Sequence, residues 1–215
     1  MKKYIAAVIV LATILLTGCN EKLTVQQKIA KKYGIDQFSK VETIEYTWNV
    51  TSKRGSASRF WRYNPNTQEV FYKNEKEEKT WKRSDIPKDL KSLDGDFIND
   101  QYWVLFPFHL LWDPGVIFVT GLKKTAPLAK KEYNWLRIAY PKDLGYTPGD
   151  AYELYYDDEL TIHEWSYHSK GEKKASLATS WEKPKTVEGI TYATEFNNDS
   201  GFKLWISDLK INLKK

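Results

Sequence analysis

Residues 41–50 read VETIEYTWNV, and their period of two decides the fold. In an extended chain Ile44, Tyr46, Trp48 and Val50 share one face, whereas Glu42 and Glu45 do not, so the polar side is mixed. The same texture continues downstream. SASRFWRYN (56–64) predicts a second strand, Asn64-Pro65-Asn66-Thr67 a turn, QEVFYK (68–73) a third strand, NEKEEK (74–79) a charged turn and KTWKR (79–83) a fourth strand. Short strands with a turn every several residues are the pattern of an antiparallel meander.

Residues 84–115 break that pattern. SDIPKDLKSLDGDF is polar and turn-rich, and FINDQYWVLFPFHLLWDPG (97–115) gathers six aromatic residues around Pro107. From Ile98 to Leu111 apolar residues lie on all sides, which predicts a helix that is buried or lies across a sheet. Pro107 kinks or divides it, and Asp113-Pro114-Gly115 ends it. Strands then resume with VIFV (116–119), EYNWLRIAY (132–140), AYELYY (151–156), LTIHEWSYH (160–168), KKASLATSW (173–181), GITYATEF (189–196) and FKLWISDLKINL (202–213). Asp157-Asp158-Glu159 is a hairpin turn, and KDLGYTPGD (142–150) is a loop. In the last strand the alternation of Phe202, Leu204 and Ile206 changes phase to Leu209 and Ile211, predicting a bulge near Ser207-Asp208.

Upstream, LTVQQKIAKKY (23–33) sets Leu23, Gln26, Ile29, Ala30 and Tyr33 near one helical face, with Gly34 as the stop. No long amphipathic helix alternates with the strands, which argues against a parallel α/β fold. The expectation is a mostly β chain: a single open or half-closed antiparallel β-barrel of about ten or eleven strands, with a short N-terminal helix and a helical plug. No repeat, low-complexity tract or linker divides residues 36–215, so they are expected to form one domain.

The chain has 215 residues, 15% of them aromatic, including 9 Trp and 14 Tyr; such residues favour strands. Formal net charge is +5, and removing residues 1–18, which hold two Lys and no acid, leaves +3 spread over 31 basic and 28 acidic residues. That balance makes no electrostatic case for nucleic acid. One Cys excludes an internal disulfide framework and a Cys-rich zinc site.

Residues 1–18, MKKYIAAVIVLATILLTG, have a charged start and an uninterrupted non-ionic run from Tyr4 to Leu16. As a helix that run spans about 20 Å, short of the roughly 30 Å hydrocarbon core, so it reads as a signal peptide rather than a membrane span. Leu16-Thr17-Gly18-Cys19 resembles the bacterial lipobox. The resemblance implies cleavage before Cys19, acylation of its thiol and a lipid-anchored protein of the bacterial cell envelope; with the helix read above, residues 19–35 are expected to be a lipidated tether and short helix. The membrane would then be a partner through the N-terminal acyl chains, on the outer side of the cytoplasmic membrane or at the outer membrane.

The order of lipobox, short helix, hairpin strands, helical interruption and longer meander resembles the LolA/LolB-like superfamily of lipoprotein carriers, including outer-membrane lipoprotein-sorting-like proteins. That resemblance implies an incompletely closed antiparallel barrel whose concave face binds acyl chains. RFWRYNP, FINDQYWVLFPFHLLWD, LGYTPGDAYELYYDD and IHEWSYH are also similar in text to a family of uncharacterised lipoproteins of Gram-negative bacteria, which implies no activity. A half-barrel facing a helix makes a concave apolar site. Trp48, Trp61, Trp103, Phe106, Phe108 and Trp112 are the residues expected to line it, with core packing as the alternative role of each.

Other constellations weigh less. On a strand His163 would share a face with Trp165 and Tyr167, and Glu164 with His168, so the two His do not converge on a metal. DGDFIND (94–100) has oxygen ligands without calcium-loop spacing, and Asp94 or Asp96 is expected to cap the helix. Asp157 to Glu159 are turn residues rather than paired catalytic carboxylates. Ser166, His109 and an Asp could form a triad, but no nucleophile elbow is present; His109 is expected to be buried and hydrogen-bonded. No catalytic residue, metal or cofactor is therefore expected, and the favoured function is non-catalytic binding or carriage of an acyl, lipoprotein or other amphipathic ligand. Two alternatives stand: an interaction lipoprotein with a solid core and an exposed apolar patch, and an envelope hydrolase with converging ionisable groups in a cleft.

Overall fold

The computed structural model describes residues 22–143 and 147–215, so the signal-like segment and Cys19 lie outside the described residues. The elements are α1 (Val25–Lys32), α2 (Ile35–Phe38), β1 (Val41–Ser52), β2 (Gly55–Asn64), β3 (Glu69–Lys73), β4 (Glu78–Lys82), α3 (Lys91–Trp112), β5 (Ile117–Thr125), β6 (Glu132–Ala139) and β7 (Ala151–Tyr156). They continue with β8 (Ile162–His168), β9 (Leu177–Ser180), β10 (Lys185–Val187), β11 (Ile190–Tyr192), β12 (Glu195–Asn197) and β13 (Lys203–Leu213).

Helix α1 forms where the periodicity predicts. Thr24 and Gln27 cap it reciprocally, each side chain accepting from the other's backbone N–H. Gly34, at φ 94°, ends it and leads into α2. Strand β1 buries Ile44, Tyr46 and Trp48, the face read from its alternation. It pairs antiparallel with β2 and β13 at the centre of a six-stranded sheet ordered β12-β13-β1-β2-β3-β4. Between the pairs Glu45–Lys210 and Thr47–Ser207, β1 advances two residues and β13 three, with Asp208 at φ 54°. This extra residue is the phase change visible between Ile206 and Leu209.

A second sheet runs β5-β6-β7-β8-β9 in chain order, and β10 and β11 form a separate ribbon. The strands therefore do not close into one barrel. They form three open antiparallel sheets, with thirteen strands among the described residues rather than ten or eleven. The additional strands arise because GITYATEF breaks into β11 and β12, and because Lys185–Val187 folds back on β11. The large sheets approach at β9 and β12, where Glu182 and Glu195 form one isolated bridge and Ser180 Oγ accepts from Asn197 N–H at 3.0 Å. Pro184 carries no N–H to extend that bridge into a ladder.

Helix α3 fills the space between the sheets, and from Phe97 to Leu110 nearly every residue is buried. Leu105 departs from helical geometry (φ −116°, ψ 15°) two residues before Pro107, which cannot donate to the Trp103 carbonyl. Phe97 packs on Trp61 of the first sheet at 5.4 Å; Trp103 and Phe106 pack on Trp165 of the second at 4.6 and 5.0 Å. Asp94 and Asp96 do not cap this helix, which begins at Lys91 with no side-chain cap. Asp94 instead accepts from Trp81 Nε1 at 2.8 Å and Arg83 Nε at 3.2 Å, and Asp100 accepts from Trp61 Nε1 and Arg59. Trp and Arg two apart on an extended segment point to one face. Two such pairs clamp two buried carboxylates of α3 to the first sheet.

Candidate ligand-binding site

Two cavities flank the stripe of α3 formed by Ile98 and Tyr102, one turn apart. The first, of about 440 Å³, lies between α3 and the second sheet. Ile98, Tyr102 and Trp103 come from the helix, and Tyr152, Trp165 and Tyr167 from β7 and β8. The β7–β8 register sets Tyr152 opposite Tyr167 and Leu154 opposite Trp165, so these residues share the face turned to α3. The Tyr152 and Trp165 rings stack at 5.2 Å, 15° from parallel. Among the described residues Asp150 is the one charged residue in this wall. Its carboxylate is already engaged, accepting from Tyr167 Oη at 2.9 Å and Lys170 N–H at 2.8 Å.

The second cavity, of about 310 Å³, is bordered by Phe38, Tyr63 and Trp112 on its aromatic side and by Arg83, Gln101, His109 and Asp113 on its polar side. Asp113 Oδ1 lies 2.9 Å from His109 Nδ1, while Oδ2 accepts from Tyr102 Oη at 2.6 Å and Tyr140 Oη at 2.8 Å. Burial pushes the Asp113 carboxyl upward, but these donors outweigh it and hold the group below the usual aspartate range. An ionised Asp113 requires Nδ1 of His109 to be the donor. Burial, and then the Asp113 charge, raises the Tyr102 hydroxyl well above an ordinary phenol.

The expected ligand-lining residues are distributed between these cavities and the core. Trp103 borders the first cavity and Trp112 the second. Trp48 lies under the Arg59 guanidinium at 4.2 Å, Trp61 is fully buried, Phe106 packs on Tyr152 and Trp165, and Phe108 sits against Phe38 and Trp112. Tyr152, Trp165 and Tyr167 complete the first cavity without having been singled out, although facing strands around the Asp157 turn carried the signal.

The second sheet also buries acids. Glu153 accepts from Lys124, Arg137 and Tyr155, and Glu164 accepts from the backbone N–H groups of Leu128 and Ala129. Ser166 pairs with His168 rather than with His109, and His168 Nδ1 lies 2.8 Å from the Glu172 carbonyl. Neither Ser166 nor His168 borders either cavity flanking α3. A register shift at His163 leaves it stacked on Tyr133 and 2.8 Å from Asp157, not aligned with Trp165 as plain alternation predicts. Among the described residues no group of three His, Cys, Asp or Glu could hold a metal ion.

Two large antiparallel sheets about a kinked, buried helix, with a small ribbon beside α2, define the architecture. A DUF1329 family protein from Desulfovibrio piger shares it with a TM-score of 0.50 at 10% identity, over 89% of this chain and 93% of that one. An outer membrane lipoprotein-sorting protein domain from Vibrio parahaemolyticus aligns with a TM-score of 0.42 at 12% identity, over 86% and 91% of the two chains. At 10% identity the likeness to the Desulfovibrio piger protein is one of fold alone. No family model matches the chain, and no curated protein matches it.

Proposed function

We propose that the protein is a lipid-anchored component of the bacterial cell envelope that binds or carries an acyl or other amphipathic ligand without chemistry. The observation that supports this reading is the first cavity. Its volume of about 440 Å³ falls within the roughly 300–1,000 Å³ of small-molecule sites. Its wall is built largely from aromatic faces, and its only charged residue among the described residues, Asp150, already has partners. The lipobox-like Leu16-Thr17-Gly18-Cys19 supports the anchor: two or more acyl chains on Cys19 would hold residues 36–215, read as one domain, at the membrane surface.

The test is native mass spectrometry of the chain from residue 20 onward, made in bacteria without its signal, followed by lipid extraction. A stoichiometric acyl ligand that is lost in Trp165→Ala or Trp103→Ala supports the reading. A bare chain that takes up no fluorescent fatty acid overturns it.

One observation favours the interaction reading. Ile117, Val119 and Leu122 of the edge strand β5 are 64%, 44% and 58% exposed. A bulge between Val119 and Leu122 keeps all three opposite Ala139, Arg137 and Trp135, hence on one face. Without the extra residue Leu122 would turn to the other side.

A further inference from the structure

The second cavity holds hydrogen-bonding capacity that the fold does not spend. His109 is 8% exposed, its Nδ1 is committed to Asp113, and its Nε2 is buried with no hydrogen-bond partner among the described residues. Gln101 is 5% exposed, borders the same cavity, and makes no side-chain hydrogen bond among the described residues. Leaving the buried Nε2 of His109 in this state costs free energy unless a partner arrives. Between them they offer an acceptor at Nε2 and an amide that both donates and accepts.

The charges around the cavity indicate what kind of partner fits. Arg83 is answered by Asp94, and Asp113 adds a carboxylate. Among the described residues no surplus positive charge awaits an anion, and a cation would meet Arg83. A neutral group that both donates and accepts hydrogen bonds matches the set, and a hydroxyl does this. The opposite wall is aromatic: Trp112 rests on Phe38 at 4.6 Å and on Phe108 at 5.3 Å, and it is 38% exposed beside the cavity. Aromatic side chains accept the C–H side of a polyol while polar groups take its hydroxyls.

We propose that this second cavity binds an uncharged polyhydroxylated group, a sugar ring or a glycerol-type head. One hydroxyl donates to His109 Nε2, Gln101 bonds another, and the carbon skeleton lies against Trp112. The group arrives either as a free saccharide or as the head of a lipid, and both sources present the same chemistry. The site does not depend on occupation of the first cavity, although Ile98 and Tyr102 belong to both walls.

The experiment uses the full-length protein in a detergent that carries no hydroxyl groups. Methyl glucoside, monooctanoylglycerol and octanoate are titrated separately, and binding is followed by ligand-observed NMR. Methyl glucoside reports a free saccharide, monooctanoylglycerol a lipid head, and octanoate an anion of matched chain length. The expected result is binding of at least one hydroxylated probe, weakened about tenfold or more by both His109→Phe and Gln101→Leu, a loss of about 1.4 kcal/mol or more. His109→Gln, which restores an acceptor, recovers part of that affinity. Gly95→Leu, which places a side chain in the first cavity, leaves methyl glucoside binding unchanged. Failure of both hydroxylated probes overturns the proposal. So does binding that survives His109→Phe and Gln101→Leu, or octanoate binding that depends on His109 as strongly. Monooctanoylglycerol binding that is lost only in Gly95→Leu supports the first cavity and removes the second.

Discussion

The guanidinium of Arg59 on β2 grips both carboxylate oxygens of Asp100 on α3, from Nε at 2.7 Å and from Nη2 at 2.8 Å. Trp61 Nε1 adds a third bond at 2.8 Å, and Asp100 is wholly buried. Burial lifts its carboxyl to about 6, and Arg59, Trp61 and Asn99 pull against that lift without cancelling it. The folded state therefore holds this proton more tightly than the unfolded chain. The stabilising contribution of protonation is complete below the ordinary aspartate value of 3.8 and is lost as pH rises through about 6. Arg59→Met leaves a buried carboxylate without its cation. It should cost about 3–5 kcal/mol at pH 8. The deficit should shrink toward pH 4, because the uncompensated group then takes up a proton. Urea unfolding at pH 8 and pH 4.5 measures the difference; an equal loss at both would sink this account.

Glu153 carries the opposite sign. Burial raises its carboxyl, but hydrogen bonds from Tyr155 and Lys124 outweigh it and hold the group below the ordinary glutamate value of 4.5. Its contribution is present above that value and is lost as pH falls through the lowered one. Glu153→Gln should destabilise by about 1.5–3 kcal/mol at pH 7, the worth of hydrogen bonds to a charged group. The variant and the parent should converge near pH 3. Thermal unfolding across that range checks it, and a deficit that persists in acid would refute it.

These two acids also mark where the sequence is legible. The alternation of β1, the break at Pro107 and the bulge of β13 are local signals, carried by residues a few positions apart, and the chain obeys them. Asp100 lies in the polar run DGDFIND and Glu153 in the strand AYELYY, and neither stretch names its partner. Their donors lie 41 and 39 residues away for Asp100, and 29 and 16 away for Glu153. Barrel closure fails to be legible for the same reason, since it depends on whether distant edge strands meet. Among the six expected aromatics, Trp61 illustrates the limit. Its indole N–H is spent on Asp100, which draws the ring into the core, whereas Trp103, nine residues from Trp112 on one helix, faces open volume.

Gly34 and Gly201 separate backbone strain from collision. Both have φ near 90°, at 94° and 86°. A Cβ on Gly201 meets nothing within 4 Å, whereas one on Gly34 runs into the Gly189 carbonyl. Gly201→Ala should therefore cost only the left-handed penalty of about 1–2 kcal/mol. Gly34→Ala should cost that plus about 1–3 kcal/mol of overpacking, as α2 is pushed off the β10–β11 ribbon. Paired chemical denaturation of the two variants gives the difference. Equal losses would mean the Gly189 backbone yields freely.

Gly95 stands inside α3, where glycine costs about 1 kcal/mol relative to alanine, yet it borders the first cavity with open space above its Cα. A residue that weakens its helix and leaves a volume unfilled is explained if the volume is used. Gly95→Leu should restore helix propensity and project a side chain into the cavity. The expected outcome is a protein at least as stable as the parent, with a gain of up to about 1 kcal/mol. Its acyl-ligand uptake should be abolished while methyl glucoside binding in the second cavity persists. Such a variant separates ligand loss from fold damage, which Trp103→Ala cannot do, because removing a buried indole alone costs about 3–5 kcal/mol. Denaturation curves and fluorescent fatty-acid titration on the same preparation decide it. Undiminished uptake by a stable Gly95→Leu protein would show that the acyl chain lies elsewhere.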